Sequence, residues 1–148
     1  MLAQKIRVAT FLTLLLLATA TMAENSTQFN GFTIHHNAIP TAILTPDVAS
    51  SYKITRSKYR GLLNISVIKD VPGTTGQPVS ANVSAYAINL IGRRHHIDLK
   101  QIQEGNAIYY IGDFPIVDGE MLTFVLEITP EGSERAAKAT LKQEFYID

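Results

Sequence analysis

In 148 residues, 13 basic side chains balance 13 acidic ones, and there is no cysteine. That balance gives no electrostatic warrant for nucleic acid or an anionic membrane as the main partner. The missing cysteine excludes disulfide scaffolds, thiol chemistry and a lipoprotein anchor built on a cysteine at the cut site.

The first 23 residues read as an export signal. Lys5 and Arg7 precede an apolar run from Val8 to Ala18, and the small residues Thr21 and Ala23 stand at a spacing that a signal peptidase cuts. The run from Val8 to Ala23 is short of the roughly 20 apolar residues of a membrane span and is interrupted by threonines. Cleavage after Ala23 is expected, with Ala18-Thr19-Ala20 as a second choice. The mature chain, residues 24–148, is then a single periplasmic domain with 11 basic side chains against 13 acidic. No other apolar run approaches membrane-spanning length, so no span is expected after cleavage.

Residues 24–30 read as a polar lead-in that frays. A first strand is expected over Phe32 to Ile39, with Phe32, Ile34, His36 and Ala38 on one face. Pro46 to Tyr52 suits the one helical turn of the mature chain, with Thr45 as its cap. Leu62 to Lys69 alternates as a strand, and Asp70 to Pro78 is dense in breakers and reads as a long turn. Val79 to Ile91 reads as one strand with both faces apolar, as in a central strand. Ile97 and Leu99 face inward in the next strand, and Glu104-Gly105-Asn106 is the hairpin that returns the chain through Ala107 to Asp113. Leu122, Phe124, Leu126 and Ile128 mark a further strand, and Ala137, Ala139, Leu141 and Phe145 the last. About seven strands with closely spaced turns predict an all-β fold, a two-layer antiparallel sandwich of immunoglobulin-like topology, with a small barrel as the alternative.

Chemistry-bearing motifs are sparse. Two histidine pairs, His35-His36 and His95-His96, are adjacent on strands, so each pair offers only one imidazole to a shared site. His36 and His95 also fall in phase with apolar faces and read as packed residues; no metal site and no cofactor are expected. Lys53, Arg56, Lys58 and Arg60 form a basic cluster that reads as a solvated connector, with Arg56 clamping a loop. There is no nucleophile elbow, Ser-x-x-Lys pair or phosphate-cradling glycine loop, so no enzyme is expected. Gln143 and Asn89 lie among apolar neighbours and require hydrogen-bond partners if buried. Tyr109-Tyr110 places one ring on each face of its strand.

Several strings resemble a domain-of-unknown-function family of small exported gammaproteobacterial proteins, whose genes often lie near those of methionine biosynthesis. The strings are Leu44-Thr45-Pro46-Asp47-Val48-Ala49, Gly61 to Val67, Ala87-Ile88-Asn89-Leu90-Ile91-Gly92, Glu104 to Gly112 and Gln143-Glu144-Phe145-Tyr146. The resemblance covers essentially the whole mature chain and implies a periplasmic immunoglobulin-like sandwich. It departs from the family at two places: Lys53 stands where a glycine usually follows the tyrosine, and His36 where the residue is often aromatic. The reading is a non-catalytic envelope accessory module that binds a protein or envelope component, with Asn37, Tyr52, Arg56, Asn64 and Tyr110 as candidate contacts. A small-ligand or metal carrier using His36, His95 and the arginines is the second reading, and an enzyme of unrecognised type the third.

Overall fold

Strand alternation, carried through by burial, builds two antiparallel sheets. The computed structural model describes residues 25–148, so the expected leader, residues 1–23, lies outside the described residues. The strands are β1 (Ser26–Phe29), β2 (Phe32–Pro40), β3 (Arg60–Lys69), β4 (Gln77–Pro78), β5 (Ala81–Asn89), β6 (Arg94–Ile97), β7 (Lys100–Glu104), β8 (Ala107–Pro115), β9 (Glu120–Pro130) and β10 (Ala137–Phe145). A 3-10 turn, Thr41–Ile43, and the helix α1, Pro46–Tyr52, lie between β2 and β3.

One sheet has the order β1-β2-β3-β8-β7, with β4 beside β3; the other is β10-β9-β5-β6. Setting aside the stubs β1 and β4, these are the A-B-E-D and G-F-C-C′ sheets of an immunoglobulin-like sandwich. The chain crosses between sheets after β3, β6 and β8. The disulfide and tryptophan that join antibody sheets are absent. Three phenylalanines occupy the interior instead: Phe114 of β8 meets Phe124 of β9 edge-on at 4.8 Å and Phe145 of β10 at 5.4 Å. Around them pack Ile34, Leu63, Ile65, Val67, Leu126 and Ile128, all fully buried. Tyr110 adds a polar stitch, its ring buried and its Oη accepting the Ala81 N–H at 2.7 Å.

Two glycines are required by close packing. A Cβ at Gly61 would lie 2.2 Å from the Phe114 ring, and one at Gly112 would lie 2.5 Å from the Asp98 carbonyl. Gly112 thus lets the β6–β7 crossover pass directly over β8.

Three expectations are corrected. The lead-in does not fray: Ser26–Phe29 pairs with β2 across Asn30 and Gly31, whose φ values of 45° and 82° suit a two-residue hairpin turn. The strand expected over Val79 to Ile91 ends at Asn89, and Leu90 and Ile91 stand in the following turn. The strand expected around Ile97 and Leu99 is two strands in different sheets, because the chain changes sheet at Asp98 and Leu99. The expected helical turn forms, with the Thr45 Oγ1 accepting the Val48 N–H at 3.3 Å.

Candidate functional site

The outer face of the first sheet is built from alternate residues of β2, β3, β8 and β7. Antiparallel register sets Asn37 opposite Asn64 and Asn64 opposite Ile111, with Ile39 and Leu62 paired in an adjacent row. A solvent-facing sheet would carry polar side chains here, yet Ile111 and Leu62 are buried. The cover is α1 and its flanks. Val48 and Tyr52, one helical turn apart, share the face of α1 that lines the same hollow as Leu44 and Ile54.

Several contacts hold this cover in place. The Arg56 Nε donates to the Leu44 carbonyl at 2.7 Å, which fixes the segment entering α1. Thr41, fully buried, donates to the Ser57 carbonyl at 3.0 Å and accepts the Ser57 N–H at 2.9 Å. The helix ends with Lys53 in the left-handed region at φ 56°, its N–H turned back to the Ser50 carbonyl at 3.2 Å. The Lys100 ammonium of β7 donates to the Tyr52 carbonyl, tying the C-terminus of α1 to the opposite rim.

Between helix and sheet remains a cleft of about 290 Å³ with an apolar floor and Asn37, Asn64 and Glu104 as its polar groups. Asn37, Asn64 and Tyr109 also line a larger groove of about 940 Å³ that continues past His35 and Ser66, so the two form one trough. The Asn64 Oδ1 is buried and accepts no hydrogen bond. Buried amide oxygens without donors are uncommon, and such an atom at the floor of a cleft is an acceptor available to a ligand.

Of the residues singled out in the sequence, Asn37, Tyr52 and Asn64 converge on this cleft, and Arg56 supports its wall by clamping the loop through backbone carbonyls. Tyr110 is not part of it. Its ring is 6 % exposed and points into the core, while Tyr109 takes the outward face. Tyr110 is therefore unsuited to touch a partner. Leu44, Val48, Ile54, Ile102 and Ile111 escaped notice. For Val48 the signal was its spacing of four from Tyr52; for Ile102 it was alternation within β7.

The histidines do not gather. His36 is buried on the inner face, with its Nε2 3.1 Å from the Thr27 Oγ1, and burial followed by the neighbouring His35 charge holds its pKa below the usual imidazole value. His95 is exposed on β6 in the other sheet, and the His96 Nε2 lies 3.3 Å from Asp98. Among the described residues, no three His, Asp or Glu side chains are placed to hold a metal ion. Of the basic cluster, Arg60 pairs with Asp113 at 2.5 Å and Lys58 lies over the Tyr59 ring at 5.3 Å.

Residues 26–148 match the profile of a domain of unknown function, DUF4426. The chain belongs to the DUF4426 family. A crystal structure of a DUF4426 family protein from Pseudomonas aeruginosa is similar at 30% identity and a TM-score of 0.72, covering 84% of this chain and 96% of that one. The fold is also similar to that of FetP from uropathogenic Escherichia coli, at 9% identity and a TM-score of 0.58, covering 83% of this chain and 93% of FetP. A copper-bound FetP variant gives 10% identity, a TM-score of 0.59 and coverage of 83% and 95%. At such identities the FetP likeness shows the fold alone. No curated protein sequence matches this DUF4426 member.

Proposed function

We propose that this DUF4426 protein is a non-catalytic periplasmic binding module, exported by cleavage of residues 1–23, and that the trough beneath α1 holds its partner or ligand. The observation that carries this reading is the buried, unpaired Asn64 Oδ1 on the floor of a cleft whose lining is mostly apolar. A cleft with apolar walls and a few convergent polar groups is the usual form of a binding site. It suits an elongated envelope component, a peptide segment or small molecule, that carries an apolar group and a hydrogen-bond donor. Apolar surface would pack on Leu62, Ile111 and Tyr52 while the donor meets Asn64.

The test is native mass spectrometry of the protein purified from its own periplasm, with photo-crosslinking from position 48 in the intact envelope. A bound molecule or one dominant crosslinked partner, lost in Asn64→Leu, is expected. A bare protein with no crosslink above that of a position on β10 would overturn the reading.

A metal carrier is the second reading, and the copper of the FetP variant supports it. Metal analysis of the same sample separates the two. A stoichiometric metal would shift attention from the cleft to His36 and His95.

A further inference from the structure

β10 is the longest of the strands that end the two sheets. It pairs with β9 over all nine of its residues without a break in register, and no described strand lies on its other side. The strands at the other sheet ends, β1, β6 and β7, have only four or five residues. A long free edge is a template for another strand, and proteins blunt such edges with proline, a bulge, a cover or lysine. Of these devices β10 carries only Lys138 and Lys142.

The ladder fixes which groups face outward. The Glu131 N–H donates to the Ser80 carbonyl at 2.8 Å, in step with the β5–β9 register, so odd-numbered residues of β9 bond β5 and even-numbered ones bond β10. Carried across the β9–β10 register, that turns the N–H and C=O groups of Lys138, Thr140, Lys142 and Glu144 away from β9. All four residues are exposed.

A second β10 laid antiparallel on this edge pairs these four residues with one another. About a two-fold axis at Leu141, Lys138 meets Glu144 of the second copy and Thr140 meets its Lys142. Centred on Thr140 instead, Lys138 would meet Lys142; centred on Lys142, that lysine would meet its own copy. Like charges directly opposed destabilise a strand pair, so the lysines do not bar the edge but select one register. The neighbouring strand agrees with it. Lys138 stands opposite Glu127 of β9 and Lys142 opposite Thr123, so in the pair Lys138 lies between two carboxylates and no like charges are directly opposed.

The other layer has a matching shape. β1 covers only the Phe32–His35 half of the β2 edge. The Pro40 end of β2 lies at the Phe145 end of β10, because Pro40 faces Gly61, Arg60 faces Pro115, and the short turn after Pro115 leads to Glu120, which faces Phe145. The first sheet thus projects beside Ala137 and steps back beside Phe145. A two-fold at Leu141 sets each projection against the other copy's step. We propose that two copies of this chain pair through β10 about that axis, joining their second sheets into one. Such an isologous contact closes at the dimer and does not propagate. Gln143, beside the axis, lines the larger groove, so the troughs of both copies approach the interface, although the pairing does not rest on what they bind.

The test uses protein purified from the periplasm, its mass showing that the apolar leader is gone. Sedimentation equilibrium should give a reversible monomer–dimer equilibrium at about micromolar concentration, since one strand edge is smaller than a standard interface. Lys138→Glu and Glu144→Lys should each weaken it by about tenfold or more, because both cross-strand charge pairs turn repulsive. Mixed together, the two variants oppose unlike charges at both pairs, and with one made isotopically heavy, native mass spectrometry should show a restored heterodimer. Thr140→Pro removes an outward N–H without touching the β9 ladder and should leave a folded monomer. The β10 position used as the crosslinking control for the cleft should give one product, at twice the mass of the chain. A monomer at every concentration, a dimer indifferent to the charge variants, or a mixture that stays monomeric would overturn the proposal.

Discussion

Lys53 and His36 are both under physical tension. Lys53 ends α1 with φ at 56°, a conformation that costs a non-glycine residue roughly 1–2 kcal/mol and that glycine adopts freely. A lysine thus stands in a geometry that favours glycine. Lys53→Gly should therefore raise stability by about 1 kcal/mol, less glycine's greater entropy in the unfolded chain, as a higher urea midpoint at unchanged slope. His36 is a different case, a titratable group that is buried on the inner face. Burial lowers its folded-state pKa beneath the ordinary value of 6.5, so the unfolded chain takes up its proton first as pH falls. Its contribution is complete above about pH 6.5 and is lost on acidification toward the lower folded value. His36→Phe should flatten that acid limb. The slope of unfolding free energy between about pH 7 and about pH 5 should fall by up to 1.36 kcal/mol per pH unit, measured against an unchanged alkaline limb.

Elements with a single clean alternation were legible, and those shaped by a change of sheet were not. β9 and β10 follow their sequence patterns because each pairs along its length within one sheet, burying one face. The chain from Arg94 to Glu104 alternates just as well, but no local feature marks the step at Asp98 and Leu99 by which it leaves one sheet for the other. The first hairpin is legible in Asn30-Gly31, a strong two-residue turn signal, and the polar strand before it gains its place by pairing with β2. The cleft was half legible. Asn37, Tyr52 and Asn64 stood out, but their convergence depends on register between β2 and β3 and on α1 folding back over the sheet, neither of which a single strand encodes. Gly61 was visible only as part of a family string; its role needs the third dimension. Gly61→Ala would drive a methyl into Phe114, and with that ring held by Phe124 and Phe145 the collision should cost about 1–3 kcal/mol. Gly61→Ala combined with Phe114→Leu should recover part of that loss, a coupling that a double-mutant cycle measures.

At the scale of the molecule, the question is what makes two sheets behave as one body without a disulfide. The phenylalanine cluster draws one ring from the first sheet and two from the second, and Tyr110 reaches from the first sheet to the start of β5. Neither sheet can keep its inner face covered alone, so loosening one exposes the other. Unfolding should then be a single cooperative transition, coincident by far-ultraviolet circular dichroism and tyrosine fluorescence. Phe124→Ala should lower stability by about 3–5 kcal/mol without splitting that transition. A resident metal would add a term of RT ln(1 + [L]/Kd) to this stability, and a chelator would remove it. In the cleft-binding reading the cohesion comes from packing alone, and ethylenediaminetetraacetate should leave the melting temperature of protein purified from the periplasm unchanged. A chelator-dependent fall, reversed by added copper, would instead favour the carrier reading and require histidines from sites that the single folded chain keeps apart.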